Sequence, residues 1–268
     1  MVRFYSTNRK SPELSFKDTL IMGQAPDRGL YMPKTIPKIP SEVINSFKNK
    51  EYWQIAKEVA AYIIEDEVPL DILEKITKDA YNYPVPLKEI EKNKWVMYLD
   101  KGPTSSFKDF AARMMARLMS YFLKQDNKKL RILTATSGDT GGAVADAFLG
   151  VDNIEVIVLF PKAEISERQR RQMTTLEKNI TAISVDGKFD DCQALVKEAF
   201  ADPDLKFMNL SSANSINFGR LLPQSVYYFY AYSRIVKNGN EGNNGIGFCV
   251  PSGNFGDLMG GILAKNMG

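Results

Sequence analysis

The sequence contains no histidine, and this absence excludes several kinds of catalytic site. Triads and dyads that use an imidazole base are ruled out, and so are metal sites with histidine ligands. Two cysteines, Cys192 and Cys249, are too few for a disulfide framework or a cysteine-rich zinc site. We interpret both as small buried hydrophobic residues in a reducing compartment. Any chemistry therefore depends on lysine, carboxylates, hydroxyls, backbone amides or a bound cofactor.

The net charge is also small, and the chain has no long apolar runs. The chain has 35 basic and 32 acidic residues, a net charge of +3, which gives no support to a nucleic-acid or membrane surface. The first residues, Met1 to Thr7, do not resemble a signal peptide. No stretch reaches the roughly 18 apolar residues that a membrane helix needs. We expect a soluble cytoplasmic protein, with neither nucleic acid nor membrane as a partner.

The N-terminal part has many prolines and then changes to helical periodicity. Five prolines lie within residues 1–40, where only Phe16 to Gly23 is predicted to form a helix. From Glu51 onward the apolar residues recur at helical spacing, and a second helix is predicted from Leu70 to Ala80. We therefore interpret residues 1–94 as a mainly helical N-terminal region.

From Trp95 onward, short apolar runs alternate with helical segments. The predicted strands are Trp95–Leu99, Arg131–Thr136, Ile154–Phe160, Thr181–Val185 and Ile246–Val250. The predicted helices lie around Phe110–Phe122, Gly142–Leu149, Glu167–Lys178, Asp190–Phe200 and Gln224–Val236, and from Asp257. Strands separated by helices predict an α/β fold with a parallel sheet covered on both faces. The methionines of the first helix are interpreted as core residues, and Asn238–Gly247 as an exposed loop.

A lysine at a predicted helix start is the first candidate for chemistry. In the segment Gly102–Phe110, Ser106 is a good N-cap, which places Lys108 in the first helical turn. The positive end of the helix dipole disfavours a cation there and favours a neutral, nucleophilic amine. Alone, this signal is weak, because a lysine at an arbitrary position is usually a solvated surface charge.

Two further loops have the composition of anion-binding sites. Thr136–Ala143 follows a predicted strand and opens a helix, and Pro251–Asp257 does the same near the C-terminus. Glycines and free N–H groups before a helix can hold a phosphate or carboxylate. Neither loop has the Walker pattern, and the first lacks the dinucleotide fingerprint. Together with Lys108, they predict a site for a phosphorylated cofactor and an anionic substrate at the carboxyl ends of the strands.

These segments together resemble one enzyme family. Ser106–Phe110, Thr136–Gly141 and Ser252–Gly256 are similar to the corresponding motifs of threonine synthases, pyridoxal-phosphate enzymes of fold type II, the tryptophan-synthase-β-like group. Tyr5–Thr7, Asp27–Pro33 and Asn214–Asn217 extend the resemblance along the chain. Asp139, where serine and threonine dehydratases and cysteine synthases usually have asparagine, favours threonine synthase over those relatives.

The resemblance implies a cofactor, pyridoxal 5′-phosphate, and a role for each matching residue. Lys108 would bind the cofactor covalently and then move protons at the substrate's Cα and Cβ. The cofactor phosphate would lie on Gly253, Asn254, Phe255 and Gly256, and Asp139 would lie near the cofactor's 3′ oxygen. The substrate-binding residues would be Ser137, Gly138, Asp139, Thr140, Asn214, Ser215, Asn217 and Arg220, the last of them toward the substrate phosphate. No metal is expected.

The resemblance also implies a domain organisation and a reaction. Residues 95–210 would form a smaller α/β domain with Lys108 and the carboxylate loop, and residues 211–268 the start of a larger domain. Family members continue past the third loop, so we expect the second domain to be incomplete. The implied reaction converts O-phospho-L-homoserine and water to L-threonine and phosphate. The alternatives are another fold-type-II lyase, such as a serine/threonine dehydratase, or a non-catalytic fragment of threonine synthase.

Overall fold

The computed structural model describes residues 1–236 and 245–268, and its elements follow the chain in this order. The first part forms β1 (Phe4–Ser6), α1 (Phe16–Met22), β2 (Tyr31–Pro33), α2 (Ser41–Ser46), a 3-10 helix (Phe47–Asn49), α3 (Tyr52–Ile64), α4 (Leu70–Ala80), β3 (Leu87–Glu91) and β4 (Lys94–Met97). The rest forms α5 (Lys108–Asp126), β5 (Leu130–Ala135), α6 (Asp139–Phe148), β6 (Ile154–Pro161), α7 (Glu167–Thr174), β7 (Ile180–Val185), α8 (Phe189–Ala201), a second 3-10 helix (Pro203–Met208), β8 (Leu210–Ser211), α9 (Phe218–Ile235) and α10 (Gly256–Met267).

The central element is a four-stranded parallel sheet with strand order β7-β6-β5-β8. Successive side chains of β5 alternate between its two faces. Ile132 lies in the main hydrophobic core, whereas Leu133 packs in a second cluster with Cys192 and Val196 of α8. β5 and β6 are mostly buried and mostly apolar, as in other parallel sheets that are covered on both faces, whereas the edge strand β7 is more exposed. The predicted α/β fold is confirmed, and the prediction that Cys192 is buried is confirmed with it.

The N-terminal segment is more regular than the sequence indicated. The helix α1 is confirmed, but β1 and β2 also form an antiparallel pair, and α2 follows. The ring of Phe4 lies 4.9 Å from that of Phe218 and 6.0 Å from that of Phe16, between centroids. Pro33, the last residue of β2, lies opposite Phe4, and the Lys34 N–H after it donates to Arg3 O at 2.8 Å. The irregular layer expected here is therefore a two-stranded sheet held on α1 and α9 by aromatic packing.

The strand predicted at Trp95–Leu99 is present as β4, but it does not join the parallel sheet. It pairs antiparallel with β3, with Glu91 opposite Lys94 across a tight turn. Asn93 has φ of +62° at this turn, a conformation that asparagine tolerates. Local hairpin pairing therefore takes precedence over the crossover that the alternating pattern predicted.

Several helix boundaries differ from the predicted ones for local reasons. The helix α6 begins at Asp139, directly after Gly138, whose φ of +140° precludes a helical conformation. The helix α7 ends at Thr174, before a turn in which Lys178 has φ of +67°. The helix α9 begins at Phe218, six residues before the predicted start, because Asn217 caps it and Pro223 is tolerated inside it.

The strand predicted at Ile246–Val250 is wrong. Residues 245–250 have no regular structure, and no strand of the described residues pairs with them. An extended segment without a neighbour has no ladder of hydrogen bonds to hold it. Phe248 is 42% exposed, and Cys249, predicted to be buried, is exposed. Most of the predicted loop Asn238–Gly247 lies outside the described residues.

The helices α5, α9 and α10 pack closely on one side of the sheet. The methionines of α5, Met114, Met115 and Met119, are fully buried, which confirms their interpretation as core residues. The helix α10 lies so close to α9 that a Cβ on Gly260 would be 2.8 Å from Gln224 Cβ. Among the described residues, no helix is both long enough and apolar enough to cross a membrane.

The packing of Phe4 predicts a large cost of truncation. We expect Phe4→Ala to lower the free energy of unfolding by about 3–5 kcal/mol, because it opens a cavity between α1 and α9. Phe207→Ala is the matched control, since Phe207 is 75% exposed and should change stability by less than about 0.5 kcal/mol. Urea denaturation of the two variants measures both values. Equal losses would contradict this account of the N-terminal sheet.

Candidate active site

The loop between β5 and α6 is built around the hydroxyl of Thr136. Its Oγ1 accepts hydrogen bonds from the backbone N–H groups of Gly138 (2.9 Å) and Gly141 (2.8 Å). The sequence predicted free amides along this loop, but these two are already bonded. The N–H groups of Asp139 and Thr140 open α6, where the first donors have no acceptor in their own helix. They remain available for an anion.

Lys108 is the first residue of α5, and its side chain faces this loop. Its Nζ lies 3.5 Å from Asp139 Oδ2 and 4.3 Å from the centroid of the Phe107 ring. Ser106, predicted as the N-cap, accepts a bond from the Lys108 N–H at 3.3 Å, but Phe107 holds the capping position. The Lys108 side chain is 23% exposed, so that its amine is accessible and has a carboxylate beside it.

Asp109 shapes the turn before Lys108, a role that the sequence analysis missed. Its buried carboxylate accepts bonds from the Thr104 N–H (2.9 Å) and from Thr104 Oγ1 (2.5 Å). Burial raises the pKa of Asp109, although these hydrogen bonds act in the opposite direction. A Cβ on Gly102 would lie 2.4 Å from Asp109 Oδ2, so the turn requires glycine there. An acidic residue directly after the candidate lysine was the available signal.

The helix α7 covers both the loop before α6 and the turn before Lys108, and nothing in the sequence indicates this. Gln169 Nε2 donates to Asp139 Oδ1 at 2.8 Å, and Gln172 Nε2 donates to Thr104 O at 3.1 Å. The Ser166–Gln169 spacing of a capping box does predict the start of α7. It does not indicate which loop lies opposite.

The segment Asn214–Asn217 lies beside the same edge of the sheet. Thr134, on β5, donates through Oγ1 to Asn214 Oδ1 at 2.5 Å. Asn217 is fully buried: its Nδ2 donates to the carbonyls of Leu20 and Ser212, and its Oδ1 accepts from the Gly219 N–H. The Asn217 side chain is thus committed to holding the segment in place.

Arg220 is buried in the first turn of α9 and lacks a full set of partners. Its side chain is 4% exposed, and Nη1 donates to Ala213 O at 2.7 Å. Within residues 1–236 and 245–268, its Nε has no acceptor. Burial lowers the pKa of Arg220 to about 10, although nearby Asp109 acts in the opposite direction, and the side chain remains cationic at neutral pH. A buried cation of this kind is costly unless an anion compensates it.

The loop Pro251–Asp257 leads into α10 and contacts the Asn214–Asn217 segment. A Cβ on Gly256 would lie 3.2 Å from Ser215 Cβ, whereas a Cβ on Gly253 would meet nothing within 4 Å. Asn254 Oδ1 accepts from the Gly256 N–H at 2.9 Å. The hydroxyl of Ser252 is buried and has no partner among the described residues.

Side chains of α9 hold the start of α10 in place. The Asp257 carboxylate accepts hydrogen bonds from the hydroxyls of Tyr227 (2.7 Å) and Tyr228 (2.6 Å), and burial raises the pKa of both tyrosines. Gln224, in the amide orientation that satisfies its neighbours, donates to Gly256 O and Arg220 O. The loop and the buried arginine are therefore linked through one side chain.

The structure brings most of the predicted site residues to one edge of the sheet. Lys108 meets Asp139, Thr134 ties the sheet to Asn214, and Ser215 meets Gly256. Ser137, Asp139, Gly253, Asn254 and Phe255 are exposed, and Thr140 is half-buried. Among the described residues, no group of three His, Cys, Asp or Glu side chains is placed to hold a metal ion.

An amine, a neighbouring carboxylate and glycine-rich helix starts define the class of protein. Residues 80–264 match the family model described as pyridoxal-phosphate dependent enzyme, which covers more than half of the chain. The protein therefore belongs to the pyridoxal-phosphate-dependent enzyme family. Residues 3–81 match a second model, described as threonine synthase N terminus.

Named relatives give the nearer comparison. The chain is 39% identical to the threonine synthase of Escherichia coli K12, over all of this chain and 61% of that protein. The crystal structure of the PLP-bound threonine synthase from Brucella melitensis superposes with a TM-score of 0.91 at 39% identity, covering 100% of this chain and 58% of that one. The yeast threonine synthase gives a TM-score of 0.88 at 34% identity, covering 99% and 56%. The chain thus spans about three fifths of the length of these relatives. The predicted resemblance and fold type are confirmed.

The same substitution is predicted to have different effects on stability at two glycines of the site. We expect Gly138→Ala to destabilise the protein by about 1–3 kcal/mol, because alanine is strained at φ +140° and its Cβ would lie 2.3 Å from Gln169 Nε2. Gly253→Ala should change stability by less than about 0.5 kcal/mol, since a Cβ there meets open space. Urea denaturation of both variants tests this. A destabilised Gly253→Ala variant would contradict the loop geometry.

Proposed function

We propose that this chain forms the cofactor and substrate site of a threonine synthase, which converts O-phospho-L-homoserine and water to L-threonine and inorganic phosphate. The observation that carries the proposal is the approach of the Lys108 amine to Asp139 at the N-terminus of α6. The threonine synthases named above, similar over the whole length of this chain, support the choice of reaction. The proposal includes a cytoplasmic location, in keeping with two unpaired cysteines.

The residues present fit pyridoxal phosphate. Lys108 supplies an accessible amine for the aldehyde, and the loop Gly253–Gly256 supplies open space before the N-terminus of α10 for the phosphate. The Ser252 hydroxyl, which has no partner within residues 1–236 and 245–268, is a further donor at that loop. When bound, the cofactor withdraws electrons from the substrate Cα and makes proton removal there feasible. In the proposed organisation, residues 95–210 supply the lysine and residues 211–268 supply the phosphate loop.

Lys108 is proposed to move the protons of the reaction. Its Nζ lies beside a carboxylate and an aromatic face, and we propose that this one amine takes a proton from Cα and another from Cβ. The Asp139 carboxylate faces the amine at 3.5 Å and orients it. One flexible amine can thus serve steps for which the sequence offers no imidazole.

The substrate's two anionic groups are proposed to bind at different places. Its carboxylate would lie on the N-terminus of α6, at Ser137–Thr140, where Asp139 contributes a backbone N–H because its side chain would repel a second carboxylate. Its phosphate would lie by Asn214, Ser215 and Arg220. The buried guanidinium, whose Nε has no acceptor in the described part of the chain, supports this assignment, since an anion would compensate its charge. Asn217 would act by holding this segment.

The proposal is tested first at the lysine. The purified chain is incubated with pyridoxal phosphate, reduced with borohydride and mapped by peptide mass spectrometry, and phosphate release from O-phospho-L-homoserine is measured in parallel. We expect the cofactor on Lys108, and we expect Lys108→Ala to lose both cofactor attachment and turnover. Lys101→Ala, which changes a nearby exposed lysine, is the control and should keep both.

The outcomes separate the alternatives. Turnover that remains in Lys108→Ala would refute the proposal. Release of ammonia and a keto acid from serine or threonine, without phosphate release from O-phospho-L-homoserine, would indicate a dehydratase. Attachment of the cofactor on Lys108 with no turnover of any of these substrates would assign this chain a binding role only.

The placement of Asp139 predicts a separation between substrate use and cofactor retention. We expect Asp139→Ala to lower kcat/KM about 10- to 100-fold, because the amine loses its orienting carboxylate, and to change the cofactor dissociation constant less than about threefold. Gly253→Ala should show the reverse pattern, since its methyl group occupies the phosphate space. Enzyme kinetics and cofactor titration measure the two quantities. Equal effects of Asp139→Ala on both would contradict this division of roles.

A further inference from the structure

Gln169, on the first turn of α7, connects that helix to the candidate active site. Its Oε1 accepts hydrogen bonds from the Ser166 N–H (3.1 Å) and from Ser166 Oγ (2.8 Å). Its Nε2 donates to Asp139 Oδ1 at 2.8 Å. Since two donors face the oxygen, the orientation of the amide is determined, and the N–H must point toward Asp139.

The two oxygens of Asp139 have different partners. Oδ1 accepts from Gln169, and Oδ2 lies 3.5 Å from Lys108 Nζ. The Asp139 side chain is 50% exposed. A half-exposed carboxylate with a single long contact to a flexible lysine would sample several rotamers. The shorter bond to Gln169 selects the rotamer in which Oδ2 faces the amine.

The helix that carries Gln169 is itself fixed on the loop. Met173 is fully buried, and a Cβ on Gly141 would lie 2.4 Å from its sulfur. Gln172 donates to Thr104 O. The amide of Gln169 lies directly over Gly138, where a Cβ would be 2.3 Å from Nε2. Side chains at 169, 172 and 173 share one face of the helix, so α7 holds the amide at a fixed place.

We propose that Gln169 is a positioning residue: anchored by Ser166, it holds the Asp139 carboxylate against the Lys108 amine and so sets the geometry of the reacting lysine. This inference rests on the proposed function for its catalytic meaning. The contact that it explains is present without any ligand. It can therefore be tested on the protein alone as well as with pyridoxal phosphate.

Two substitutions of Gln169 separate positioning from helix stability. Gln169→Glu keeps the acceptor for Ser166 and makes the usual capping box, with an acid in the first helical turn, so α7 should remain stable. The Gln169→Glu variant loses the N–H that donates to Asp139 Oδ1, and it places a second carboxylate beside that oxygen. Gln169→Leu loses both ends of the link. Gln172→Leu is the matched control on the same helix face: it removes the contact of α7 with Thr104 O but leaves the Ser166–Gln169 bonds and the buried Met173 in place.

The first readout is zero-length crosslinking of the protein without cofactor. A water-soluble carbodiimide adds to the Asp139 carboxylate to form an activated ester. The Lys108 amine then attacks the carbonyl carbon of this ester, which forms the amide and releases the reagent as a urea. We expect the Lys108–Asp139 peptide in the wild type, and an about tenfold lower yield in Gln169→Leu and Gln169→Glu. The yield should be unchanged in Gln172→Leu. The Lys50–Glu58 pair is the internal standard, because its atoms are 2.7 Å apart and it lies far in sequence from Lys108, Asp139 and Gln169.

The second readout is the rate at which pyridoxal phosphate is trapped on Lys108 by borohydride. We expect Gln169→Glu to trap the cofactor about tenfold more slowly while its melting temperature stays that of the wild type. Combining Gln169→Glu with Asp139→Asn should restore the rate to within about threefold, because the asparagine amide can donate to the new carboxylate.

The two readouts distinguish failure of this inference from failure of the proposed function. A wild-type crosslink that persists in Gln169→Leu, or that falls equally in Gln172→Leu, would overturn the positioning role. A crosslink that depends on Gln169, in a protein that traps no pyridoxal phosphate, would uphold the positioning role and refute the proposed function. Trapping that is slowed only in variants with a lowered melting temperature would reduce Gln169 to a structural residue and overturn the inference.

Discussion

The parallel pairing of β5 with both of its neighbours is the constraint on which the candidate site depends. Strand residues two positions apart share a face, so Ile132, Thr134 and Thr136 point the same way. The isoleucine packs into the main core, while the two buried threonines lie nearer the carboxyl edge. One threonine hydroxyl holds Asn214 and the other holds the loop before α6. A single strand thus places two of the three segments that make the site.

The site combines buried and exposed charges with different tasks. Asp109 and Arg220 are buried and shape their surroundings, the first by closing the turn before Lys108 and the second beside the segment from Asn214. Lys108 and Asp139 remain partly exposed and face each other across two helix starts. Because buried charges are fixed by their surroundings and exposed ones are not, the proposed pair of Lys108 and Asp139 depends on neighbouring elements for its geometry.

Much of the fold could be predicted because its signals are local. The apolar runs of β5, β6 and β7 and the helical periodicity of α5 are read directly from the sequence. The prediction of a strand at Ile246–Val250 was wrong, because a strand forms only beside a neighbouring strand and composition does not reveal whether such a neighbour exists. β4 was found, but its hairpin partner was not. Division of the chain at residues 94/95 and 210/211 stays a prediction.

The residues of the candidate site likewise differ in whether local sequence signals identify them. Lys108, Asp139 and the glycines of both loops were identified from their own motifs. Asp109, Gln169 and Gln224 were missed, because each acts through a contact between segments distant in sequence. Arg220 was singled out by its place after Asn217, whereas its burial without a carboxylate partner is visible only in three dimensions. Sequence motifs thus indicate the candidate reacting groups, and tertiary packing determines what supports them.

The glycine contact between α9 and α10 has a consequence for substrate choice. Gly260 packs against Gln224, whose side chain donates to the backbone carbonyls of Gly256 and Arg220, so the start of α10 is held against the first turn of α9. If the cofactor and substrate phosphates bind at these two places, the packing of α9 against α10 determines the distance between them. A substrate with one carbon more or less between its amino group and its phosphate would then span the wrong distance. Selectivity for chain length would reside in a helix contact that no substrate touches.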